Sequence, residues 1–231
     1  MATKILSGND ALACDVEVHI NPKMWFEPGA QGTPAKVRAK APQMAVLHWT
    51  GAENSVETFY ANCLARKVSA HFFVAGDGTI HQLADVLTTA TWHAHSDGGV
   101  VNTRSVGIEI QNAGLASAKP LNAAAKKLAR PTYIDTVCGR KLKMLMFNRP
   151  QIDSVLAILD TLEREGFVQR SIPRSDAADW AEYNSILREP MSLAAIKKFR
   201  GVCGHYHVPG SGKVDPGTQL FQSLIDDGWD H

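Results

Sequence analysis

The chain has 231 residues, 45% of them hydrophobic and 20% charged, with 24 Lys and Arg against 23 Asp and Glu. That length suits one large domain, or a domain with a sizeable insertion, and is enough to bury a substantial core. A net charge of +1 excludes attachment to nucleic acid by bulk charge, the ordinary apolar content excludes a disordered or fibrous chain, and no apolar run approaches the ~18 residues needed to span a bilayer.

Taken in chain order, Met1 to Asp10 contain no apolar stretch of the signal-peptide kind, so a chain made in the cytoplasm without a signal peptide is expected. Residues 1–43 read as an N-terminal arm, because Glu27-Pro28-Gly29-Ala30-Gln31-Gly32-Thr33-Pro34 is dense in turn formers. The main domain is expected over 44–231. Met44-Ala45-Val46-Leu47 predicts a buried strand running into His48. Ser55 is a good N-cap for a helix to Lys67, with Val56, Phe59, Tyr60, Cys63 and Leu64 at helical spacing. His71-Phe72-Phe73-Val74, a Gly76-Asp77-Gly78 turn and Thr79 to Leu83 predict a hairpin. Ser105 to Ile110 is another strand, with Glu109 polar among apolar neighbours.

Residues 150–166 predict the clearest helix, with Pro150 in its first turn, Ile152, Val155, Leu156, Leu159 and Leu162 on one face, and Gly166 at its end. Shorter helices are expected from Ser192 to Phe199 and from a Thr218 cap to Asp226. Strands alternating with helices give an α/β fold, a mixed central sheet flanked by helices. Four cysteines (Cys14, Cys63, Cys138, Cys203) form no C-x-x-C pair, which excludes cysteine zinc ribbons and thioredoxin-like redox motifs.

One segment departs from the average. Between Ser117 and Arg149 lie Lys119, Lys126, Lys127, Arg130, Arg140, Lys141, Lys143 and Arg149 against Asp135 alone. Tyr133 to Val137 and Lys141 to Leu145 could pair as a hairpin through Cys138-Gly139. Two readings of this basic insertion, at about 114–149, stand side by side: a solvated ornament, or a surface that meets an acidic polymer or an anionic cell surface.

The nine histidines matter through their placement. His48 ends a strand, His93 and His95 follow Trp92, and His205 and His207 precede Asp215. A strand-end His, a distant His and a carboxylate suit a three-ligand zinc site with one position open for water. Such a site lowers the pKa of water toward ~7 and polarises a carbonyl, as hydrolysis of an unactivated amide requires. Spacing alone does not choose among the histidines.

A resemblance does. Leu47-His48-Trp49-Thr50, Val68-Ser69-Ala70-His71-Phe72, Gly76-Asp77-Gly78-Thr79-Ile80, Trp92-His93-Ala94, Ser105 to Ile110 and Gly204-His205 with Asp215-Pro216-Gly217 stand in one family's order. The chain resembles the zinc-dependent N-acetylmuramoyl-L-alanine amidases of the amidase type 2 and peptidoglycan recognition protein family, from about Met44 to Gly217. The resemblance implies Zn2+ on His48, His205 and Asp215, with the metal in a groove on one sheet face. It implies that Glu109 handles the proton of the attacking water and that Lys213 steadies the developing oxyanion. It places His71, Trp92 and His93 along the substrate. The implied partner is peptidoglycan or a soluble muropeptide, acted on after release or export of the enzyme. A binding module that does not cut, and a cytosolic muropeptide-recycling amidase, are the alternatives.

Overall fold

The computed structural model describes residues 4–8, 10–94, 99–115, 130–175 and 185–229. Its centre is a mixed six-stranded sheet. The strands are β3 (Val18–Ile20), β5 (Met44–Trp49), β6 (Phe72–Val74), β7 (Ile80–Gln82), β9 (Ser105–Ile110) and β12 (Gly201–Gly204). They lie in the order β12-β5-β9-β6-β7-β3, parallel except for the β6–β7 hairpin. The expected mixed sheet with flanking helices is the fold observed.

Because side chains alternate across a strand, residues paired in register share a face. Leu47 pairs with Ile108, and Ile108 with Phe72. All three enter the main core beneath α3 (Arg149–Arg164), whose Ile152, Val155 and Leu159 pack there. One residue further along each strand, His48 pairs with Glu109, and Glu109 with Phe73, on the opposite face. Phe73 packs under α1 (Val56–Arg66) with Val56, Phe59 and Cys63. The alternation that buries Leu47 and Ile108 therefore also aims His48 and Glu109 into one groove.

Local rules set the helices. Ser55 accepts from Thr58 N–H to start α1, and Asn148 with Gln151 forms a capping box at α3, where Pro150 occupies the first turn. Ser192 caps α4 (Leu193–Lys198). Thr218 occupies the N-cap of α5 (Gln219–Asp226), yet its hydroxyl turns away from the helix toward Asp135. No helix among the described residues is long and apolar enough to cross a membrane.

The segment expected as an arm is woven into the fold. β1 (Lys4–Ser7) pairs with β2 (Asp10–Ala13), β3 edges the main sheet, and β4 (Ala35–Val37) pairs with β8 (Thr89–Thr91). Phe26 is fully buried beside Phe59 and Phe73. Strands of three or four residues carry too little alternation to stand out beside the turn formers of 27–34.

The expected hairpin of the basic segment is present as β10 (Thr132–Val137) and β11 (Arg140–Leu145). Cys138 and Gly139 both have positive φ, as a tight two-residue turn requires. Val137, Met144 and Leu145 are buried, and Arg130 is taken up by an ion pair with Glu53 at 2.8 Å whose side chains are 4% and 1% exposed. Arg140, Lys141, Lys143 and Arg149 are exposed, while Lys119, Lys126 and Lys127 lie outside the described residues. The segment is thus neither a pure ornament nor uniformly a charged surface.

Asp135 ties this hairpin to the loop after residue 214. Its buried carboxylate accepts from Thr218 N–H at 2.8 Å and Thr218 Oγ1 at 3.0 Å, and pairs with Arg188 at 2.7 Å. A Cβ on Gly217 would lie 2.5 Å from Tyr133 Oη, so only glycine allows the loop this close. Replacing Asp135 with Ala should cost about 1–3 kcal/mol in urea unfolding, the usual penalty for orphaning buried donors. Unchanged stability would mean that water replaces the carboxylate without loss.

Candidate metal centre and its cleft

His48 is the fifth residue of β5. β12 pairs Gly204 with Leu47, so the next residue, His205, emerges beside His48, and Asp215 returns to the same place on the loop before α5. His48 Nδ1 lies 3.0 Å from His205 Nδ1 and 3.3 Å from Asp215 Oδ2, and His205 Nδ1 lies 3.1 Å from Asp215 Oδ2. All three residues are buried. Tetrahedral zinc with bonds of ~2.0–2.1 Å separates its ligand atoms by about 3.3 Å. Two imidazole nitrogens facing each other while both face one carboxylate oxygen is an arrangement that protons satisfy poorly and a cation satisfies well. The donor set fits zinc.

The electrostatics agree with that chemistry. Burial, reinforced by His205, pushes His48 down to about 4, so it is a neutral imidazole at pH 7. Burial alone would raise Asp215, but His205 and His48 outweigh it and hold its carboxyl well below the usual carboxylate range. Glu109 behaves oppositely. Burial and the Asp215 charge push it up to about 8, against the pull of Arg66 and Lys213.

These groups share one cleft of about 280 Å³. His48, His205, Asp215, Glu109 and His93 line its floor and Lys213 its rim, while α1 contributes Phe59, Asn62, Cys63 and Arg66 as a wall. The wall follows from helical spacing, since positions 59, 62, 63 and 66 lie on one face.

The sequence model for the N-acetylmuramoyl-L-alanine amidase family matches residues 38–218. The chain belongs to this family. Among solved structures, an endolysin N-acetylmuramoyl-L-alanine amidase from Clostridium intestinale is 14% identical, with a TM-score of 0.52 over 93% of this chain and 97% of that one. The Ph2119 endolysin from a Thermus scotoductus bacteriophage is 12% identical, with a TM-score of 0.50 over 92% and 99%. At such identities the likeness is one of fold. No curated protein sequence matches.

Against the amidase expectations, the structure brings His48, His205, Asp215, Glu109, Lys213 and His93 into one cleft. It does not bring His71 there, and the expected substrate contact of that residue is corrected. His71 is fully buried, its Nε2 3.0 Å from Arg38 Nη2 and its Nδ1 3.0 Å from Gly107 N, so it braces the sheet interior and does not line the cleft. Trp92 lines a separate groove with Pro34, Lys36 and Lys67, where Lys36 Nζ stands 5.7 Å from its ring. His207 is buried and already satisfied: Gly204 N–H donates to its Nδ1, and its Nε2 donates to Leu187 O. His95 lies outside the described residues. Arg66 and Asn62 carry no signal in the apolar pattern of the sequence, and Cys63, one of the apolar positions at helical spacing, also borders the cleft.

Proposed function

We propose that this amidase-family chain uses zinc, held by His48, His205 and Asp215, to hydrolyse the amide between the lactyl group of N-acetylmuramic acid and the L-alanine of the peptidoglycan stem peptide. The observation that carries this reading is the convergence of three donor atoms within 3.0–3.3 Å beside Glu109 in one cleft. When bound, the ion supplies a Lewis acid for the carbonyl and makes water acidic enough to attack at neutral pH.

The chain's own residues do the rest. Glu109, in the carboxylate form that a bound cation would favour, accepts the proton of the attacking water and passes it to the leaving alanine nitrogen. Lys213, exposed at the cleft rim, offers a fixed cation to the charge that grows on the carbonyl oxygen. Trp92 serves the polymer from the neighbouring groove. The presence of both a third ligand and a proton carrier supports catalysis over binding alone. Peptidoglycan is met after release or export, and the role is lytic.

Purified protein should carry about one zinc per chain and free new alanine amino groups from sacculi. A chelator should abolish this release, and added zinc should restore it. Full activity after complete metal removal would overturn the zinc reading while leaving the family unaffected.

The exposed Arg140, Lys141 and Lys143 support docking on an anionic wall. Their attraction is screened over about 10 Å at 0.1 M salt. Replacing all three with glutamine should weaken sacculus digestion at low salt and flatten its salt dependence, with soluble muropeptide turnover unchanged. An unchanged salt curve would remove the docking role.

A further inference from the structure

From His48 a line of hydrogen-bonding groups runs through His93, on the cleft floor, and ends on a backbone carbonyl. His48 Nε2 is 3.0 Å from His93 Nδ1, and His93 Nε2 is 3.0 Å from Ser105 Oγ. Ser105 Oγ is 2.7 Å from the carbonyl oxygen of Val101, in α2 (Val100–Arg104). We propose that Ser105 and His93 are positioning residues: they fix the tautomer of His48 so that its Nδ1 presents a bare lone pair to the metal site. This inference rests on the zinc assignment made above.

The direction of the line follows from its end. A carbonyl oxygen can only accept, so an oxygen–oxygen distance of 2.7 Å places the Ser105 proton on Val101 O. Ser105 has no second proton, so its oxygen can only accept from His93, and His93 Nε2 carries a hydrogen. His93 is 6% exposed, and its described ring neighbours are His48, His71 and Ser105, none of them a carboxylate that would draw a second hydrogen onto the ring. Its Nδ1 is therefore bare and must accept. Among the described residues the one group within hydrogen-bond distance of that nitrogen is His48 Nε2, which must donate. A neutral His48 with its hydrogen on Nε2 has none on Nδ1, the atom that faces His205 and Asp215.

The ring that relays this order is held firmly. Asn102 Oδ1 accepts from the backbone N–H groups of His93 and Ala94 at 3.0 and 2.7 Å. Gly107 on β9 is the floor beneath the imidazole, where a Cβ would lie 2.7 Å from His93 Cγ. A histidine ligand commonly gives its second N–H to a carboxylate or a backbone carbonyl. Here a second imidazole and a hydroxyl stand between the ligand and the carbonyl. His93 thus serves the metal through His48 rather than by touching substrate.

Two measurements test this. Nitrogen-15 correlation spectra of the labelled metal-free wild type at pH 7.5 should show both His48 and His93 with the hydrogen on Nε2. A hydrogen on Nδ1 of either residue would overturn the relay whatever the metal affinity. Chelator competition should then give His93→Phe a zinc affinity about 10–100-fold weaker than wild type. His93→Gln, whose carbonyl can still accept from His48, should stay within a few-fold, and Ser105→Ala should show His93 as a mixture of tautomers. Equal zinc affinity in His93→Phe and wild type would overturn the positioning role. Failure of the wild type itself to bind zinc would instead sink the metal assignment, and the tautomer spectrum would still decide the relay.

Discussion

His205→Ala and Asp215→Ala should each lose zinc and amidase activity together. The two residues come from different elements, a turn after β12 and the loop before α5, yet their donor atoms lie 3.1 Å apart and complete a three-ligand set with His48. Removing either leaves two protein ligands, and structural or catalytic zinc needs at least three. The loss should be close to complete, and larger than any other single change at the cleft. Asp215→Ala carries a second consequence, because it removes the anion that both histidines face. Metal analysis paired with alanine release separates the cases: full zinc in either variant sinks the ligand assignment, whereas zinc lost with activity retained sinks the role of the metal.

How much of this was legible in the sequence depends on how local each signal is. His48 and Glu109 were readable because each interrupts an apolar strand, and an interruption on an alternating strand marks the face opposite the core. α3 was readable for the same reason at helical period. The pairing of His48 with His205, 157 residues apart, required the crossover that sets β12 beside β5, and only the family resemblance supplied that. His71 shows the converse failure. It sits in a matched motif, but the motif is held by Arg38, a residue from the segment expected as an arm, which draws the imidazole into the sheet interior. The relay through Ser105 was invisible, since a serine at a strand start looks like any other until its 2.7 Å contact with Val101 is known. Arg66, Asn62 and Cys63 were within reach: they share a face with Phe59, and weighing polar as well as apolar positions at helical spacing would have marked the cleft wall.

Glu109→Gln should keep its zinc and lose on the order of a hundredfold or more in turnover, the scale of positioned acid–base catalysis. The glutamine preserves volume and removes the ionisable carboxyl, so a smaller loss would assign proton handling elsewhere in the cleft. The same substitution gives a stability signature of opposite sign. Burial first, and then the Asp215 charge, raise the carboxyl to about 8 in the folded metal-free protein, against ~4.3 for an unfolded glutamate. Folding therefore favours the protonated form. The stability tied to that proton is fully present below the unfolded value and is lost as pH rises through about 8. Glutamine is neutral throughout, so the metal-free variant should melt at a higher temperature than wild type at pH 9 and at about the same temperature at pH 4. Coincident melting at both pH values would show that the carboxylate is well solvated and would remove the physical basis for its proton affinity. In the zinc-loaded enzyme the nearby cation favours the carboxylate, so the acid limb of the rate profile should lie below pH 8 and should be absent from the residual activity of Glu109→Gln. An acid limb that survives the substitution unchanged would belong to the ligands rather than to Glu109.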